Sequence, residues 1–182
     1  MKRNKWIKIV IDTIFFAIHL VVIYILIKNG RPKYDGVIGV ALFYLTFNIV
    51  EKKYEVDISN HIRILIVLTM LGHSFFGRYL NLYVRTSHFD TFLHVFGTYS
   101  FTLFTYTMIE QLFNVNFAPG IKRTIFIISL GISLGSLFEL VEFTGDMAFH
   151  PKRRHQVSLM DTNIDLIADV FGAVIASVKM RK

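Results

Sequence analysis

The sequence predicts an all-α membrane protein, a polytopic helical bundle of about six transmembrane helices forming one integral membrane domain over residues 1–182. Three observations carry this expectation. The chain is 53% hydrophobic and 15% aromatic with a mean hydropathy of +0.50, too apolar for an ordinary water-soluble domain. Apolar stretches recur along the whole length, separated by short charged segments. No Ser/Pro-rich linker, low-complexity tract or internal repeat interrupts them, so no domain boundary is expected.

Residues 6–27 supply 22 largely apolar positions, about 33 Å of helix at ~1.5 Å per residue, enough to cross the hydrocarbon core. Lys2, Arg3, Lys5 and Lys8 accompany its start as in a signal sequence. The apolar run is longer than a signal core, however, and no small-residue cleavage site follows, so it reads as a retained first span. Asp12 and His19 interrupt it, and His19 is expected to be a satisfied core residue. Residues 36–50 are shorter and cross with the help of flanking residues or a thinned bilayer. A third span over 62–84 begins regularly and continues less regularly through His73, Gly77 and Arg78. The fourth covers 89–109, the fifth 121–143 and the sixth 161–178. Within the fifth, Gly131-x-x-x-Gly135 suits close helix contact.

The net charge of +7 arises from Lys and Arg placed between apolar segments, where such residues face phospholipid headgroups. The expected partners are therefore membrane lipids, with no nucleic acid. Six crossings with an internal N terminus put 12 Lys and Arg on the inner side and 8 on the outer, which favours cytoplasmic termini. The absence of cysteine excludes disulfides, thiolate zinc sites and Cys nucleophiles, leaving carboxylate, imidazole, carbonyl or water as metal ligands.

Alternation of spans brings the end of the third, the start of the fourth, the end of the fifth and the start of the sixth to one membrane face. Those ends carry His73 and Arg78, Asp90 and His94, Glu139 and Glu142, and Asp161, Asp165 and Asp169. Spacings of three or four residues keep each set on one helical stripe. A carboxylate at mid-bilayer costs about 2.5–3.5 kcal/mol on insertion scales, so this group requires protonation, pairing or a bound cation. The metal-ligand candidates are Asp90, His94, Glu139, Glu142, Asp161, Asp165 and Asp169. Oxygen-rich ligation with one imidazole suits divalent Mg, Mn, Zn or Fe. For Asp161 the competing role is an N-cap, with Thr162 and Asn163 suiting a helix start.

"ELVE" near a helix end, a polar loop, and then "DTNIDLIADVFGA", with "DTFLH" in the preceding helix, resemble the YjdF-like family of small bacterial integral membrane proteins. More distantly, they are similar to the VanZ-like proteins. The resemblance covers about half the chain, from Phe89 onward. It implicates Asp90, His94, Glu139, Asp161 and Asp165, and implies a multi-pass protein of the bacterial plasma (inner) membrane.

An enzyme reading gives Asp90, His94, Glu139 and Asp165 catalytic roles around a cation that activates water or polarises a phosphoryl oxygen on a lipid-linked substrate. Arg78, Arg153 and Arg154 would hold that substrate's phosphate. The alternatives are a proton- or cation-coupled transporter using the same carboxylates, and a membrane scaffold or sensor that needs no cavity. The loop "HPKRRH" is expected to meet headgroups.

Overall fold

The computed structural model describes residues 5–29, 35–86, 88–150 and 154–180, and among these there is no strand. The helices are α1 (Lys5–Lys28), α2 (Asp35–Lys53), α3 (Asn60–Leu71), α4 (Leu82–Arg85), α5 (Phe89–Leu112), α6 (Ile121–Phe149) and α7 (Leu159–Lys179). Five of the six predicted segments are continuous helix, and the third, 62–84, is helical with a break at Leu80 and Asn81. Two of them, α1 and α6, are long and apolar enough to cross a membrane by length and composition, with mean hydropathies of 2.5 and 2.0. The helices α5 and α7 have sufficient length, but His94, Thr98, Ser100 and Thr102 dilute one, and Asp161, Asp165, Asp169 and Lys179 the other.

Both α1 and α6 expose many large apolar side chains while burying polar ones among apolar neighbours such as Phe15, Val22, Leu26 and Ile127. Leu20, Tyr24 and Ile27 on α1, and Leu137, Leu140 and Val141 on α6, are exposed, whereas His19 and Glu139 are buried. An apolar exterior around polar interior positions is the pattern that lipid solvation selects.

The chain divides into two compact units, one formed by Met1–Phe89 with Thr107–Val115, the other by Asp90–Tyr106 with Asn116–Lys182. In the first unit, Phe15 of α1 stacks between His19 and Tyr44, with ring centroids 4.1 and 4.2 Å away. Further along, Val22, Leu26 and Val37 form a core patch with Phe75 and Tyr79 against it. As expected, His19 is a satisfied core residue. It is 2% exposed, its Nδ1 lies 2.9 Å from the Phe15 carbonyl, and its Nε2 lies 3.0 Å from Ser74 Oγ.

The irregular third segment has a structural cause. After Leu71 the chain widens into a π-helical stretch, Gly72–Tyr79, closed by the Leu80 N–H donating to the Phe75 carbonyl. Asn81 then adopts the left-handed conformation, φ 59°, and breaks the helix before the short α4. Within this segment His73 Nδ1 is 2.8 Å from Tyr83 OH. The Arg78 guanidinium packs against Gly36, where a Cβ would have to displace its Nη1.

The first unit also corrects one expectation. Arg63 counts as a headgroup-facing cation by sequence, yet its exposure is 0%. It donates to Glu51 through Nη2, and its Nη1 lies 3.3 Å from Asp12 Oδ1, Tyr44 OH and Asn48 Oδ1. Lys8 completes the network, 2.6 Å from Asp12 Oδ2 and 3.3 Å from Glu51 Oε2. Tyr44 OH donates to Asp12 Oδ1 at 2.6 Å. Two cations and two carboxylates thus neutralise one another across α1, α2 and α3. This balance is what lets an apolar bundle hold them.

Candidate metal centre

The second unit builds a polar centre from three helices. Asp90 and His94 are four residues apart near the start of α5, so they share a stripe that Thr98 continues by one turn. Glu139 comes from α6, and Asp165 and Asp169 from α7. Small residues let these backbones approach. A Cβ on Gly131 would fall 2.5 Å from Ala173 Cβ and 2.7 Å from Thr102 Oγ1, and one on Gly172 would fall 2.5 Å from the Val95 carbonyl oxygen. At Gly135 a Cβ would occupy the place of the Asp169 carboxylate. The Gly131-x-x-x-Gly135 spacing therefore serves contact within the chain.

His94 is the hub. Its Nδ1 lies 3.2 Å from Asp169 Oδ1, which also accepts the Thr98 hydroxyl proton. A carboxylate can only accept, so this contact places the Nδ1 proton toward Asp169 and turns Nε2 the other way. Nε2 then faces Glu139 Oε1 at 3.6 Å and Asp90 Oδ1 at 3.7 Å, both too long for hydrogen bonds. Side-chain exposure is 4% for His94, 6% for Glu139 and 2% for Asp169, but 34% for Asp90, so the centre opens to its surroundings past Asp90. The Phe138 ring stands edge-on to the imidazole, 5.6 Å between centroids, and gives the centre an apolar wall.

Three buried atoms here have no hydrogen-bond partner among the described residues: His94 Nε2, Glu139 Oε1 and Asp169 Oδ2. Buried polar atoms are almost always paired, and two of these three, His94 Nε2 and Glu139 Oε1, face each other at 3.6 Å, whereas Asp169 Oδ2 lies against Gly135. His94, Glu139 and Asp165 each offer a ligand atom within 4.8 Å of the others, and all three residues are buried. No Lys or Arg pairs with Glu139, Asp165 or Asp169 among the described residues, so one imidazole faces three buried carboxylates.

The remaining sequence candidates fall around this centre or apart from it. Glu142 lies three residues beyond Glu139, half-buried and outside the closest group. Asp161 is not the N-cap of α7. That residue is Ser158, whose hydroxyl oxygen accepts the Asp161 N–H at 3.1 Å, while Asp161 Oδ2 accepts the Val157 N–H at 3.3 Å. This reciprocal arrangement resembles a capping box and starts the helix two residues earlier than expected. Arg78 belongs to the first unit. Arg154 is exposed on the loop before α7, and Arg153 lies outside the described residues.

Two further contributors lie outside the sequence candidates: Gln156, which has no periodic signal, and Asp146, which lies two turns beyond Glu139 on α6. Gln156, on the same loop, donates from Nε2 to Glu139 Oε2 at 2.8 Å and to the Glu139 carbonyl at 3.0 Å. Asp146 holds that loop by accepting the His155 and Gln156 N–H groups at 3.0 and 3.1 Å, with His155 Nδ1 2.6 Å away. His155 thus anchors the loop to α6 through Asp146.

Comparison with known proteins agrees with the membrane character. The model of a family described as "Predicted membrane protein (DUF2238)" matches residues 10–181, nearly the whole chain, and the protein belongs to that family. An uncharacterised protein of Thermotoga maritima is 30% identical over 157 residues, covering 84% of this chain and 80% of its own length. No solved structure matches.

Proposed function

We propose that this member of the DUF2238 family of predicted membrane proteins binds a divalent cation between His94, Glu139 and Asp165 and uses it on a lipid-linked or envelope substrate. The observation that carries the reading is the pair of buried, unpartnered atoms His94 Nε2 and Glu139 Oε1, 3.6 Å apart. Ligand atoms around one ion with bonds of about 2.0–2.2 Å sit roughly 3–4 Å from each other, which suits this separation. The His94–Asp169 contact supports it too, since a metal-binding imidazole commonly donates its other N–H to a carboxylate. Asp169 and Thr98 then orient the ligand, and Asp90, the exposed member, admits the cation. Mg, Mn, Zn and Fe all accept such a donor set.

A cation there would act as a Lewis acid or activate water. Arg154, on the loop of the same unit, is the residue we assign to a substrate phosphate. The resemblance to YjdF-like and VanZ-like proteins supports an envelope setting. For topology we propose six crossings of the bacterial plasma membrane with both termini in the cytoplasm, and a reporter fused after Lys182 should therefore be cytoplasmic.

A proton reading competes, because a protonated His94 would also be balanced by Asp90, Glu139 and Asp169. Asp165→Asn separates the two. With a cation present, the amide removes a charged ligand, and elemental analysis of the purified variant should find less bound metal than in wild type. The variant should also melt lower only when metal was present beforehand. If the carboxylates are instead buried and protonated, the near-isosteric amide should be tolerated or stabilising.

A further inference from the structure

Glu139 has two carboxylate oxygens, and the structure treats them differently. Oε2 accepts the Gln156 side-chain amide at 2.8 Å, whereas Oε1 faces His94 Nε2 and has no hydrogen bond among the described residues. Gln156 reaches Glu139 because His155 and Gln156 are held against α6. Asp146 stands seven residues after Glu139, two turns on and on the same stripe. Its carboxylate accepts the backbone N–H groups of His155 and Gln156, and the second Gln156 contact goes to the Glu139 carbonyl, which anchors the amide to the helix itself.

We infer that Gln156, clasped by Asp146, is a positioning residue that reserves Glu139 as a one-oxygen ligand and so makes the centre selective for small divalent cations over calcium. This rests on the cation reading above. Calcium takes six to eight oxygens and commonly engages a carboxylate through both, while smaller cations take fewer ligands in stricter geometry. With Oε2 held by Gln156, the rotation that would turn both oxygens to one cation costs that hydrogen bond, and Oε1 stays aimed at the space beside His94. Without Gln156 the carboxylate rotates, small-cation binding loses its fixed ligand, and calcium gains a second oxygen.

The experiment titrates the purified, full-length, metal-stripped protein in detergent with manganese(II) and, separately, with calcium(II), for wild type, Gln156→Ala and Asp146→Asn. Gln156→Ala should weaken manganese binding by about ten- to a hundredfold, the usual effect of removing a group that supports a ligand. Calcium binding should fall less or improve, so the preference for manganese narrows by about tenfold or more. Asp146→Asn keeps the Gln156 side chain but replaces one accepting oxygen by an amide, and should move the same ratio less far. It also serves as the readout should Gln156→Ala fail to fold. Melting temperatures in chelator report any purely structural role of the loop, which would lower stability without changing the ratio. Wild-type binding with an unchanged manganese-to-calcium ratio in both variants overturns the inference and leaves the cation reading standing. Wild type binding neither ion overturns both.

Discussion

Arg63→Ala is expected to destabilise the purified protein by about 3–5 kcal/mol, the usual cost of removing one partner of a buried ion pair. The loss follows from the charge count of the first unit. With Arg63 absent, Lys8 alone faces Asp12 and Glu51, and the latter, 2% exposed, keeps a charge without its main partner. The double variant Arg63→Met, Glu51→Leu should recover most of the loss, because Lys8 and Asp12 remain paired at 2.6 Å and the apolar replacements fill the vacated volume. Denaturant or thermal unfolding in one detergent, run on the single and double variants, checks this. A double variant as unstable as Arg63→Ala would mean that the arginine acts through packing, for example on the Phe47 ring 5.0 Å away, rather than through charge.

If the proposed cation is bound, His94→Ala is expected to reduce its affinity by more than the about ten- to hundredfold lost when a ligand's supporter is removed, because it deletes the proposed nitrogen ligand. Asp169→Ala, which frees the imidazole from its anchor but keeps Nε2, should fall within that range. Asp90→Ala should cost least, since Asp90 is the most exposed of the residues facing His94. Titration of the three variants with manganese(II) gives the order directly. A larger loss at Asp169 than at His94 would assign direct ligation to Asp169 and contradict the tautomer argued above.

The pairing of Asp90 with His94, and the ladder Asp161, Asp165, Asp169, were legible in the sequence because helical periodicity alone puts residues four apart on one stripe. The meeting of Asp90, His94, Asp165 and Asp169 with Glu139 is expected from antiparallel alternation of the spans, whereas Asp161 instead accepts the Val157 N–H at the start of α7. Gln156 was not legible. It sits on a loop whose path depends on Asp146, and no period links a loop residue to a helix seven or more positions upstream. Thr98 is four residues after His94 and could have been found by extending the same stripe.

Arg63 was misplaced for a different reason. Cations near span ends ordinarily meet headgroups, and only three-dimensional packing encloses this one between Asp12, Glu51 and Tyr44. The i, i+4 pair Lys8 and Asp12 inside the first apolar run was the available hint, since a lone carboxylate there demands a partner. The ends of α2 and α6 ran past the predicted spans because hydropathy stops at the first charged residues, whereas Lys52, Lys53 and Asp146 continue the helices.

The central claim is that a divalent cation occupies the space between His94, Glu139 and Asp165. Its most direct test is the melting temperature of the wild-type protein, purified without chelator, measured with and without chelator, alongside elemental analysis of the same sample. A site held at a hundredfold excess over its Kd contributes about 2.7 kcal/mol. At ~2–4 °C per kcal/mol for a chain of this size, chelation should lower the Tm by about 5–10 °C. The analysis should find close to one divalent metal per chain. Equal melting temperatures with and without chelator, together with no stoichiometric metal, would contradict the claim and leave a protonated, hydrogen-bonded cluster in its place.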